Sequence, residues 1–186
     1  MQTLEALLTR ISNPYLSEPA PKKDNMSLVY QAALRAPDHS WLRPWRFIQV
    51  TGKGRLKLGK AFVRSIRPME DISEEMDKKF SQMPLKAPMI IVIITKVVDK
   101  PNVPRIEQIQ STAAATQNML LALHDMGYGA FWRTGKLVTQ SNKFISKELG
   151  LEESCEVIGY LYVGTPSAKG KDVPKLSNED FVTIWK

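Results

Sequence analysis

Leu4, Leu7, Leu8 and Ile11 recur at helical spacing, so residues 2–11 are expected to form an amphipathic helix that Ser12-Asn13-Pro14 ends. Ser17 to Asp24 is polar, contains Pro19 and Pro21, and reads as a connection. A second helix is expected over residues 25–34, with Asp24 or Asn25 as its cap. Residues 46–51 read as a strand, 51–54 as a turn, 55–66 as a helix, and the charged stretch 70–83 as an exposed helix. Met89 to Thr95 is a continuous run of mostly β-branched residues, the pattern of a central strand covered on both faces. Pro104 suits the first turn of a long helix reaching Met126, apolar on most sides and stopped by Gly127. A short strand over 130–133, a helix over 139–149 and a strong strand over 155–163 follow. Phe181 to Trp185 alternates like a terminal strand. Strands and helices alternate irregularly, with no internal repeat and no linker, so the chain reads as one α+β domain over residues 1–186.

Composition narrows the function classes. Apolar residues make up 43% and charged residues 24%, ordinary values for a globular protein. The longest apolar run, Met89 to Ile94, is far short of the ~20 residues that cross a bilayer. The single Cys155 excludes an internal disulfide, and a reducing cytoplasm is the simplest compartment. The net charge of +7 raises nucleic-acid binding. Lysines such as Lys22-Lys23, Lys78-Lys79, Lys169 and Lys171 are scattered, however, with no arginine-rich tract or RNA-binding aromatic signature. A basic surface that attracts anionic nucleotides is the better reading.

Candidate chemistry concentrates in few places. Leu34-Arg35-Ala36-Pro37-Asp38-His39, followed by Arg43-Pro44-Trp45-Arg46-Phe47, joins a helix to a strand. Pro37 and Pro44 stiffen that connection, and stiff loops rich in cations and aromatics often hold ligands. No glycine-rich phosphate loop is present; Gly52-Lys53-Gly54 is too short and Gly164-Thr165-Pro166 is no better. A bound phosphate would therefore need side-chain cations, and Arg10 with Ser12 could grip one. Read from the residues alone, Arg10 is better taken as a helix C-terminal cation and Ser12 as an ordinary turn residue. His39 could be a loop histidine bonded to Asp38, and Trp132 a core residue. Glu107 is expected to pair with nearby Arg105, Cys155 to be a small buried side chain, and adjacent His124 and Asp125 to point apart rather than form a dyad. No carboxylate pair or metal triad stands out, and a histidine-rich metal site is not expected.

Taken in order, Arg10-Ile11-Ser12, Leu34-Arg35-Ala36-Pro37-Asp38-His39, Trp132-Arg133-Thr134-Gly135 and Tyr160-Leu161-Tyr162-Val163-Gly164-Thr165-Pro166 resemble the motifs of the FMN-dependent nitroreductases, and within them the small bacterial YdjA-like branch. The resemblance implies a nitroreductase-like fold: a central, mostly antiparallel sheet flanked by helices, with the C-terminal strand exchanged with the partner of a homodimer. It implies FMN between the subunits, with Arg10, Ile11 and Ser12 at the phosphate and flavin edge. Arg35 and His39 would bind flavin, in the partner subunit's site, and Trp132, Arg133 and Thr134 would lie beside the ring. Ala122, Leu123, His124, Asp125, Met126 and Gly127 match a stretch associated with the nicotinamide nucleotide. Such an enzyme passes hydride from NADH or NADPH to flavin N5 and then to a nitroaromatic, quinone or other acceptor in a ping-pong cycle. The alternative is a flavin-storage protein with little turnover. Where the family often carries another basic residue, this chain has Asn13-Pro14-Tyr15, so Lys169 becomes the candidate for the missing cation.

Overall fold

The structure, a computed structural model, describes residues 2–140 and 142–186. Its centre is an antiparallel sheet. β2 (Trp45–Thr51), β3 (Met89–Lys96), β4 (Gly129–Arg133) and β5 (Cys155–Pro166) lie in the order β4-β5-β3-β2. A two-residue strand, β1 (Leu16–Ser17), pairs with the last residues of β5.

The unbroken apolar run of β3 follows from its position. Met89, Ile91 and Ile93 face one cluster with Leu161 and Val163, while Ile90, Val92 and Ile94 face a second with Tyr160 and Tyr162. α2 (Lys23–Ala33) and α5 (Arg105–Asp125) cover the first face through Val29, Ala33, Ala115, Met119 and Leu123. α3 (Gly54–Ile66), α4 (Glu74–Gln82), α6 (Lys136–Thr139) and α7 (Asn142–Glu148) cover the second through Phe62, Ile66, Phe80, Leu137 and Ile145. With both faces buried, every position of β3 from Met89 to Thr95 is buried, and alternation has no reason to appear.

Several expectations need correction. α1 (Thr3–Thr9) stops before Arg10, which adopts extended φ −60, ψ 130. α2 begins at Lys23 with Lys22 at its cap, so neither Asp24 nor Asn25 caps it. Residues 70–73 precede α4, whose cap is Ser73 accepting from Met76 N; residues 83–86 tighten into a 3₁₀ turn. Pro104 is the N-cap of α5. That helix buries one face only, and its first half buries polar groups: Gln108, Ser111, Thr112 and Thr116. Three of these hydroxyls donate to carbonyls four residues back, and Gln108 Nε2 donates to Val98 O, which satisfies them without a partner strand. The expected helix over 139–149 is divided between α6 and α7; Ser141 lies outside the described residues. Phe181 to Trp185 forms no strand with the other described residues; a 3₁₀ turn at Asn178–Asp180 precedes it, and Trp185 is 98% exposed.

Candidate functional site

The chain leaves α1 at Arg10 and is clipped to the outer edge of β4, where Asn13 N donates to Ala130 O at 3.0 Å. Asn13 Nδ2 also donates to Ala168 O at 2.9 Å, which draws the segment after β5 to the same place. Between these segments and the end of α5 lies a cleft of about 550 Å³ lined by Arg10, Ile11, His124, Gly127, Tyr128 and Lys169 among others. Arg10 Nη1 is buried there without a hydrogen-bond partner. A charged donor in that state is costly, and an anion in the cleft would pair it. Lys169 Nζ contacts Asp172 Oδ1 at 2.6 Å, with both side chains about four-fifths exposed, so that pair is easily exchanged. Ser12 is exposed beside this cleft.

The stretch expected for a nicotinamide nucleotide ends in the same cleft. His124 and Gly127 line it, with His124 Nε2 2.9 Å from Thr9 Oγ1. Leu123 is buried in the core, and Ala122 and Met126 pack against it. Asp125 is exposed on the helix.

At the other end of β4, Trp132 and Arg133 point to opposite faces. Arg133 crosses the rings of Phe131 and Tyr162 at 5.4 Å from each centroid. Burial pushes the Tyr162 hydroxyl up to about 12, against the pull of the Arg133 guanidinium. Trp132 packs on the α2/α5 side, and its Nε1 is buried without a partner. Thr134 and Gly135 then join α4 in a second cleft of about 340 Å³, lined by Met76, Lys79, Phe80, Met83 and Leu137. Lys136 is held by both carboxylate oxygens of Glu70, at 2.8 and 2.6 Å. Lys79 is exposed and carries no such pair among the described residues. Lys79 was missed in the sequence, where it is half of a surface dilysine. The available signal was its spacing: Met76, Lys79, Phe80 and Met83 stand at i, i+3, i+4 and i+7 on one helix face.

Arg35 and His39 are not brought to either cleft. Asn118 Nδ2 donates to Ala32 O at 3.0 Å, and Arg35 follows that contact, exposed, at the end of α2. His39 Nδ1 lies 2.7 Å from Glu107 Oε2, not on Asp38, whose Oδ2 accepts from Arg43 N at 2.8 Å. Arg105 therefore pairs with Glu156 rather than Glu107. Cys155 is half-exposed at the start of β5, not buried. Ser40, Trp41 and Arg43 all have φ between 49° and 59°, a strained backbone for side-chain-bearing residues, and Trp41 is 79% exposed beneath Arg43. His39 is tied to the first turn of α5 while His124 sits in its last. Those seventeen positions along the helix span about 25 Å.

A model of the Nitroreductase family matches residues 11–165. The chain belongs to the nitroreductase family. Within it, the chain falls in the YdjA-like branch: the Escherichia coli K12 protein named "Putative NAD(P)H nitroreductase YdjA" is 32% identical over 169 residues, 91% of each chain. The fold agrees. The "Nitroreductase-like Family Protein from Bacillus cereus" superposes with a TM-score of 0.84 at 24% identity, covering 100% of this chain and 96% of that one. A Desulfovibrio desulfuricans structure titled a "putative nitroreductase in complex with fmn" gives 0.75 at 20% identity, covering 97% and 95%. No helix among the described residues of this nitroreductase is long and apolar enough to cross a membrane. Among the same residues no cluster of three or more His, Cys, Asp or Glu could hold a metal ion.

Proposed function

We propose that this nitroreductase is an FMN-dependent NAD(P)H oxidoreductase acting as a homodimer. Arg10 carries the reading: it lines the cleft with Nη1 unpaired, a cation where no glycine loop exists to cradle a phosphate. β4 spans about 13 Å between the Arg10 cleft and the Lys79 cleft, so an elongated nucleotide lying along it would meet a cation at each end. Arg10 and Lys169 would hold the phosphate, with Ile11 and Ser12 along the adjoining chain. Trp132, Arg133 and Thr134 would flank the ring, and Lys79 would favour negative charge at its edge. Bound there, FMN supplies two-electron transfer between a nicotinamide nucleotide and an acceptor such as a nitroaromatic or quinone.

Arg35 and His39 would serve the partner subunit's flavin: their own chain brings neither to the Arg10 cleft, and it ties His39 to the far end of α5. Phe181 to Trp185 would pair with the partner's sheet, which accounts for an apolar segment left exposed by its own chain. His124 and Gly127, at the Arg10 cleft, would contact the nicotinamide nucleotide.

Purified protein should be yellow or take up added FMN, and anaerobic NADH or NADPH should bleach it. Arg10→Ala should weaken FMN binding at least about tenfold, the loss of one charge-assisted buried contact. Protein that refuses FMN, or an Arg10→Ala variant that binds it unchanged, would sink the proposal. Flavin retained but not bleached would instead identify a storage protein.

A further inference from the structure

Two lysines line the cleft at the Thr134 end of β4, and they are not equivalent. Lys79 is exposed and carries no ion pair among the described residues, while both carboxylate oxygens of Glu70 grip Lys136 Nζ, at 2.8 and 2.6 Å. Glu70 stands behind Lys136 rather than in the lining of the cleft. It arrives on the loop between α3 and α4, where its N–H donates to Ile66 O at 3.3 Å. Lys136 opens α6 directly after Gly135, whose φ of 78° favours glycine. The Gly135 carbonyl accepts from Val138 N and Thr139 N at 2.9 Å and from Thr139 Oγ1 at 3.1 Å, which fixes the turn that carries Lys136. The Lys136 and Glu70 side chains are 45% and 32% exposed, against 80% and 82% for Lys169 and Asp172 at the other cleft. A pair so sheltered is screened less by water and salt. Lys79, Lys136 and Glu70 together thus present one net positive charge at this cleft, where the two lysines alone would present two.

We infer that Glu70 sets the reducing power of the bound flavin by holding and cancelling Lys136 beside the ring, a role that rests on the flavin reading above. The ring is neutral when oxidised and gathers negative charge when reduced, so a cation beside it favours the reduced form and a carboxylate opposes it. With Lys136 cancelled, Lys79 alone favours reduction. The flavin is thereby a stronger reductant than two free lysines would leave it. The electron pair comes as hydride from NADH or NADPH, which departs as oxidised nicotinamide, and it passes with protons to the acceptor; Glu70 alters neither count. It bears on which acceptor is served. Nitroaromatics are harder to reduce than quinones, and a more strongly reducing flavin favours the harder class. Glu70 acts through Lys136, so it is a positioning residue.

The test is FMN titration and flavin potentiometry on wild type, Glu70→Gln, Lys136→Met and the double variant. Glu70→Gln frees the Lys136 charge and should raise the potential, favouring reduced over oxidised FMN about fivefold more than wild type does. Lys136→Met leaves the carboxylate bare and should move the potential the opposite way. The double variant, with both charges gone, should return close to the wild-type potential. Oxidised FMN, neutral at the ring, should bind all four proteins nearly alike. Glu70→Gln should also slow reduction of nitrobenzene more than of benzoquinone, two uncharged acceptors that a freed Lys136 would not attract. Shifts of one sign in both single variants, or a Glu70→Gln potential equal to wild type, would overturn the inference; a merely structural tie would weaken oxidised FMN binding in both without opposing signs. If Glu70→Gln fails to fold, Lys136→Met decides: a lowered potential supports the role and an unchanged one ends it. Wild-type protein that takes no FMN would overturn the flavin reading together with this one, an outcome recognised before any variant is compared.

Discussion

Arg10 and Lys79 each present a donor with no partner among the described residues, and each lines one of the clefts at the ends of β4. Of the two, Lys79 is the more exposed and should matter less. Lys79→Ala is expected to weaken FMN binding about fivefold, roughly 1 kcal/mol, which equilibrium fluorescence titration would measure. Its larger effect should be a lower flavin potential. The tyrosines make a separate prediction. Burial raises Tyr30 and Tyr162 to about 12 and pushes Tyr160 higher still. An unfolded tyrosine ionises near ~10, so above that pH the folded chain holds more protons than the unfolded one and stability falls as pH rises. Below that pH the contribution is fully present. Urea midpoints should therefore hold steady up to about pH 10 and drop beyond it. Arg10 could be nominated from the sequence through its motif, but its burial could not. The cleft that Arg10 lines forms only once Asn13 bonds Ala130 and Ala168 across the chain.

α3 and α4 pack at Gly59, where a Cβ would come within 2.9 Å of the Ser81 carbonyl carbon. Gly59→Ala should destabilise the fold by about 1–3 kcal/mol in chemical denaturation while leaving FMN affinity near wild type. A change in affinity there would show that α4 moves and takes Lys79 with it. Leu161 in β5 is fully buried, and Leu161→Ala should cost about 2–5 kcal/mol. At this scale the periodicities carried well: β3, β5, α3 and the extent of α5 stand close to where the apolar spacing put them. Errors gathered where tertiary contacts overrule local pattern. The start of α5 buries Gln108, Thr112 and Thr116, which no apolar stripe could announce, because their hydroxyls and amide are satisfied by nearby carbonyls. The pairing of Glu107 with His39 rather than Arg105 likewise depends on a loop arriving from 68 residues away.

Phe181 to Trp185 shows the limit at the scale of the molecule. Its alternation announced a strand, yet no strand among the described residues pairs with it. If a second chain does, deleting residues 178–186 should shift sedimentation from dimer to monomer. A mixing experiment tests the shared site directly. Arg10→Ala and Arg35→Ala chains should each lose FMN alone. Unfolded together and refolded, about a quarter of sites should recover, because each mixed dimer then contains one site with neither substitution. No recovery would place Arg35 in its own chain's site rather than the partner's. The length of α5 between His39 and His124 has one more consequence. A pocket completed only when two chains meet makes coenzyme affinity depend on how much protein is in the tube. Dilution that parts the chains should release the yellow nucleotide, and adding the nucleotide should draw them back together.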